Sequence, residues 1–244
     1  MAMDLAKHLA EDHRFSPISV YMREIVYGGL DGIITTFAVV AGFTGALQPE
    51  LVTLVTPVPV LLFGLANLFA DGLSMGLSNF LSLRSEKGVY RAQKAKEHSE
   101  IHTNPRSELE ETIAILREKG YSPRDAMAMA KLYAKNKTYW ADFMMNHELQ
   151  ISNPERKSSL RTSVATFCAF LLFGLIPLLP YIFAPTSASS FVYSISFSAI
   201  ALLLLGLLRW RVIKDQLIRS LGETFFLGSV AAAAAYLVGT FFRT

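Results

Sequence analysis

The sequence has one cysteine, Cys168, so no disulfide can form within the chain. Its place in an apolar run suggests a buried thiol that packs rather than reacts. Charge is also scarce: 18% of residues are charged, against about 25% in soluble domains. No Lys or Arg occurs from Ile25 to Leu83, where the only acids are Asp31, Glu50 and Asp71, and Thr162 to Leu208 carries no charge at all. A net charge of +3 without a basic patch interleaved with aromatics excludes a nucleic-acid binder. The N-terminal "MAMDLAKHLAEDHRF" is polar and mixed in charge, unlike a cleaved signal. With 52% hydrophobic residues and a mean hydropathy of +0.35, the chain reads as an integral membrane protein.

A span needs about 20 mostly apolar residues. That length places membrane helices near 24–46, 52–82, 161–184, 189–208 and 222–242. The second run is too long for one crossing, so its end projects into water, with Pro57 and Pro59 marking an irregular start. Pro177 and Pro180 bend the far end of the third. Lys and Arg crowd the tail (Lys7, Arg14, Arg23), the segment from Arg84 to Lys157, and the turn at 209–221, whereas the turns at 47–51 and 185–188 have none. The positive-inside rule therefore puts the N-terminus, the long segment and the 209–221 turn in the cytoplasm, and the C-terminus outside. The organisation is a cytoplasmic segment 1–23, spans one and two over 24–83, a cytoplasmic helical domain 84–160, and the last three spans over 161–244.

Two spans carry groups that are costly in lipid. Asp31 sits in "YGGLDGIITTFAVVAGF", where a carboxylate usually faces a bundle interior or a water-filled path; Glu24 lies on roughly the same face at the membrane boundary. In "GLANLFADGLSMGLSNF", Asn67, Asp71 and Met75 recur every four residues and stack along one face. A thioether beside a carboxylate suits a softer ion than Mg²⁺ or Ca²⁺. Gly28, Gly32, Gly72 and Gly76 lie at spacings that let helix backbones approach closely, which would bring the two polar stripes together.

The segment 84–160 reads as amphipathic helices. The first continues the second span, the next is capped by Ser107 and Gly120, and a third starts at Ser122–Pro123. Its acids are paired: Glu97 with Glu100, Glu108 with Glu111, and Glu148 one turn after Met144 and Met145. Solvent-facing charge and core methionine explain any single pair. Three pairs on three helices, the last beside two thioethers, fit a metal-binding cluster, since helical bundles hold metals with acids so spaced. His98, His102 and His147 form no clear ligand set with them.

The stretches "REIVYGGLDGIITTFAVVAGFTGA", "DGLSMGLSNFLSLRSE" and "WADFMMNHEL" resemble the vacuolar iron transporter family over nearly the whole chain. The resemblance implies an all-α integral membrane protein with five transmembrane helices and a cytoplasmic helical metal-binding insert between the second and third. It implies a homodimer, not an enzyme, moving Fe²⁺ or Mn²⁺ out of the cytosol by proton antiport, with Co²⁺ or Zn²⁺ as other cargo and no further cofactor. Its partners would be divalent metal ions, protons and the lipid bilayer. The transport path would pass Asp31, Asn67, Asp71 and Met75. The metal ligands would be Glu97, Glu100, Glu108, Glu111, Met144, Met145 and Glu148. Plant members carry a glutamate where this chain has Asn67, and Asp71 is expected to supply the missing charge. Lacking an organellar address, the chain is expected in a bacterial plasma membrane rather than a vacuolar one. Two other readings are a membrane-anchored iron-oxidising or iron-sequestering module, which leaves Asp31, Asp71 and Met75 without a role, and a passive divalent-cation channel, which leaves the insert without one.

Overall fold

The computed structural model describes residues 16–46, 58–183, 189–214 and 216–241. The expected features at 1–15, 47–51, 52–57 and 185–188 lie outside these residues, as do the ends of the third and fifth spans at 184 and 242. Among the described residues all regular structure is helical, and five helices are long and apolar enough to cross a membrane. After a short turn at Pro17–Val20 come α1 (Met22–Ala46), α2 (Val58–Thr103), α3 (Pro105–Glu118), α4 (Pro123–Tyr133), α5 (Lys137–His147), α6 (Ser159–Gly174), α7 (Leu179–Phe183), α8 (Ser190–Ile213) and α9 (Leu217–Phe241). The chain divides into two compact units, one of residues 80–159 and one of the rest.

The 46 residues of α2 form one unbroken helix, about 69 Å long at 1.5 Å per residue. Its apolar first half belongs to the membrane unit and its charged second half to the 80–159 unit. The third span breaks where its prolines predict: α6 ends at Gly174, a 3₁₀ turn covers Ile176–Leu178, and α7 follows. The Ser194 hydroxyl donates to the Pro177 carbonyl at 2.7 Å, pairing backbone that the break leaves open.

Three expectations need correction. The 209–221 turn shrinks to 214–216, because α8 runs on to Ile213 and α9 starts at Leu217. Charged residues extend both helices by pairing: Glu223 accepts from Arg209 at 2.8 Å and from Arg219 at 2.9 Å. Cys168 is exposed rather than buried. The glycine rows of α1 and α2 do not meet each other; both face α6. A Cβ on Gly28 would lie 2.6 Å from the Thr166 carbonyl oxygen, one on Gly32 would strike the Phe170 carbonyl, and Gly72 and Gly76 abut Phe170 and Phe167. The third span thus takes the glycine faces of both helices, while α1 and α2 meet each other away from those glycines, with the Phe43 and Phe63 rings 5.4 Å apart. Elsewhere α1 packs on α8 and α9, with Ile33 against Ala201, Leu202 and Leu205, and Gly239 against the backbone of Gly42.

Gly32→Val is accordingly expected to cost at least about 1–3 kcal/mol, the usual range for overpacking, and to lower the unfolding midpoint in detergent. Gly88→Ala, with nothing within 4 Å of its added Cβ, serves as the clash-free control, expected to gain about 0.5–1 kcal/mol because alanine suits a helix interior better than glycine. Equal midpoints for the two variants would show that the α1–α6 approach is not tight.

Candidate metal centre

The 80–159 unit closes around a core of Ile101, Leu116, Ala126, Ala130, Trp140, Ala141, Phe143 and Met144. Local sequence sets its corners. α3 begins at Pro105 after Asn104, whose side chain makes no capping bond, so Ser107 lies inside the helix, where its hydroxyl bonds Glu111 at 3.2 Å. At the other end Gly120, at φ +95°, takes the left-handed conformation; its N–H bonds the Arg117 carbonyl and that of Tyr121 bonds Leu116. Ser122 caps α4 by accepting the Asp125 N–H. α5 is capped by Asn136, which accepts the Tyr139 N–H, and ends at His147, leaving Glu148 at its C-cap with its N–H on the Met144 carbonyl.

This framework brings one acid from each expected pair together. Glu97 of α2, Glu108 of α3 and Glu148 after α5 offer carboxylate oxygens that all lie within 4.8 Å of one another. Glu97 and Glu108 are only 3% and 5% exposed, and Glu148 is open to solvent. Glu97 Oε1 and Glu108 Oε2 are buried without a hydrogen-bond partner. Buried polar atoms are nearly always paired, so two orphaned carboxyl oxygens facing a third carboxyl group fit a cation that displaces the proton. Glu100 and Glu111 stand further out, Glu100 beside Lys96 at 3.5 Å and Glu111 exposed, though both add negative potential to the cluster.

Met144 and Met145 are both wholly buried, and Met144 belongs to the hydrophobic core. Its sulfur is not simply packed: the Thr112 hydroxyl approaches Sδ to 3.3 Å. Thr112 also accepts the Trp140 indole N–H at 2.7 Å. Neither Thr112 nor Trp140 figured as a site residue in the sequence. The available signal was spacing, since Thr112 follows Glu108 by four residues and Trp140 precedes Met144 by four. His102 instead meets Lys137 at 2.8 Å, and the His147 ring packs at a tilt against Phe143.

Electrostatics follow from burial. Desolvation first, then the bond to Glu108 and the charges of Glu108, Glu148 and Glu100, push the Glu97 carboxyl up to about 8. Glu108 and Glu148 are raised too, again chiefly by burial. Glutamate in the unfolded chain ionises near 4.5. Between these values the unfolded chain gives up a proton that the fold keeps. The contribution of Glu97 to metal-free stability is therefore greatest below about pH 4.5 and declines as pH rises toward 8. A divalent cation requires the ionised form, so binding expels the proton. Mn²⁺ affinity should rise by up to about tenfold per pH unit from 6 to 8, with proton release visible by calorimetry in buffers of different ionisation enthalpy. A flat profile would contradict the assignment.

In the membrane unit, Asn67 Nδ2 donates to Asp71 Oδ2 at 2.7 Å, so amide and carboxylate share one face as their spacing implies. Asp31 and Asp71 lie within electrostatic reach of each other, and both are half-buried, as is Met75. Asn67 also lines a recess of about 520 Å³ between α1 and α2, walled by Gly42, Phe43, Phe63 and Ala70 among others. The polar row continues to Asn79, which the sequence reading passed over although it follows Met75 by four residues; its amide bonds the Thr166 hydroxyl of α6 at 2.7 Å.

Residues 22–240 match the sequence model of the VIT family. The chain is 33% identical to vacuolar iron transporter 1 of Arabidopsis thaliana over 215 residues, covering 88% of this chain and 83% of that one. It is 32% identical to the vacuolar iron transporter of Centaurea cyanus, covering 93% and 89%. With that of Toxoplasma gondii it shares 31% identity, covering 98% and 81%.

Proposed function

Because the chain belongs to the VIT family, we propose that this integral membrane protein carries Fe²⁺, and with it Mn²⁺, out of the cytosol in exchange for protons, as a homodimer. The observation that carries this reading is the pair Asp31 and Asp71, within electrostatic reach of each other in spans that hold no Lys or Arg. Ionisable groups at that depth are kept for ions or protons. The relatives' name, vacuolar iron transporter, supports iron as cargo.

In this reading residues 84–160 lie in the cytosol, as does the N-terminus, and the C-terminus lies outside a bacterial plasma membrane. Glu97, Glu108 and Glu148 hold the ion, with Glu100 and Glu111 deepening the negative potential. Met144 and Met145 supply thioethers that favour Fe²⁺ over harder ions. The ion then passes Met75, Asp71 and Asp31, and a proton on a membrane carboxylate resets the cycle. Moving a divalent ion outward against an inside-negative potential of 100 mV costs about 4.6 kcal/mol, of which each entering proton offsets about 2.3.

Asn67 cannot take a proton, but its amide steadies Asp71. Asp71→Asn removes a charge that Asn67→Ala leaves in place. In anaerobic Fe²⁺ uptake by proteoliposomes, Asp71→Asn is expected to lose about tenfold in rate, the effect of roughly 1.4 kcal/mol of lost cation stabilisation. Asn67→Ala should lose less. Wild-type uptake by Asp71→Asn would remove Asp71 from the path.

A further inference from the structure

Two contacts tie α3 to α5 one helical turn from the carboxylates. Glu108 and Thr112 are successive turns of α3, and Trp140, Met144 and Glu148 are successive turns along α5 and its cap. Carboxylate thus meets carboxylate, and one turn on, hydroxyl meets thioether. The Thr112 hydroxyl lies 2.7 Å from the Glu108 carbonyl and 3.3 Å from Met144 Sδ, and it accepts the Trp140 N–H. Thr112, Met144 and Trp140 are all buried. A hydroxyl has one proton to give, so carbonyl and sulfur share it, and the indole N–H polarises it toward donation. The fold asks here for an acceptor to the Trp140 N–H, not for a proton turned toward sulfur. Ile101, Leu116, Ala126 and Ala130 make up much of the surrounding core, and valine has nearly the shape of threonine.

We propose that Thr112 is a positioning residue for metal selectivity: its hydroxyl holds one lone pair of the Met144 sulfur and leaves the other for a thiophilic ion at the Glu97–Glu108–Glu148 cluster. The inference rests on Met144 acting as a ligand, as proposed above. A thioether free to rotate would meet the ion less often, whereas carboxylate ligation would be untouched. Thr112 therefore acts on the preference for soft over hard ions rather than on affinity at large.

The test uses the full-length protein in detergent, with Cd²⁺ as the thiophilic probe, Mn²⁺ as the hard one, and Co²⁺ for its sulfur-to-metal charge-transfer absorption. Thr112→Val is expected to weaken Cd²⁺ binding about tenfold, the low end of the loss caused by removing an outer partner of a metal ligand. Mn²⁺ affinity should stay within about twofold on the same scale, the Co²⁺ band should weaken, and Thr112→Ser should restore both properties. Valine strands the buried Trp140 N–H, so the comparison is repeated in a Trp140→Phe background, which removes that donor. Equal losses for Cd²⁺ and Mn²⁺, or failure to fold in both backgrounds, would make Thr112 a structural residue and overturn the inference. Met144→Leu separates the two levels. If it shifts the Cd²⁺/Mn²⁺ ratio and Thr112→Val does not, the inference alone falls. If Met144→Leu leaves the ratio unchanged, the ligand role of Met144 falls and takes the inference with it.

Discussion

Asp31→Ala is expected to reduce Fe²⁺ flux in proteoliposomes by about 100-fold or more while the protein still purifies as a folded species. Removing one partner of a buried charge pair costs about 3–5 kcal/mol, and about 2.7 kcal/mol already corresponds to about 100-fold in rate. Asp31 sits in the first span, half-buried and within electrostatic reach of Asp71. Local helix structure does not depend on its side chain: the Thr35 hydroxyl bonds the Asp31 carbonyl at 2.8 Å, a backbone contact that alanine preserves. Asp31→Glu, which keeps the charge on a longer arm, should retain measurable flux. Wild-type flux in Asp31→Ala would mean that the ion passes elsewhere.

The second large effect belongs to the carboxylate cluster. Glu108→Gln should weaken Mn²⁺ binding by at least the 100-fold that marks the upper end for outer partners of a metal site, since here a ligand itself is lost. The same change should stabilise the metal-free protein at pH 8. There Glu97, Glu108 and Glu148 repel one another at close range, and an amide at position 108 relieves part of that strain. If about 1 kcal/mol of repulsion is relieved, the unfolding midpoint rises by about 2–4 °C in a chain of this size. A site built for a ligand at the expense of stability has this signature. A fall in both affinity and midpoint would instead identify Glu108 as a structural support.

The membrane helices were legible because lipid imposes a simple rule: a long apolar run with charges at its ends. The break after Gly174 and the caps at Gly120 and Ser122 were legible for equally local reasons, since proline, glycine and serine act on their own backbone. What failed depended on neighbours. Ser107 looked like a cap, but Asn104 followed by Pro105 stops the chain one turn earlier. Glycine spacing announced close approach without naming the partner, and α6 rather than the opposite stripe fills it. Glu97 and Glu100, or Glu108 and Glu111, look equivalent three residues apart, yet packing buries the first of each pair and leaves the second further out. For Thr112 the four-residue spacing from Glu108 gave its face of the helix, but nothing in "ETIAIL" says that its hydroxyl will meet a sulfur 32 residues away.

Anaerobic Fe²⁺ accumulation in proteoliposomes, recorded with an internal pH dye in the presence and absence of an acidic interior, tests the central claim most directly. The account predicts accumulation that depends on the gradient and alkalinises the interior as protons leave in exchange. Flux indifferent to the gradient, or bound Fe²⁺ without flux, would contradict it.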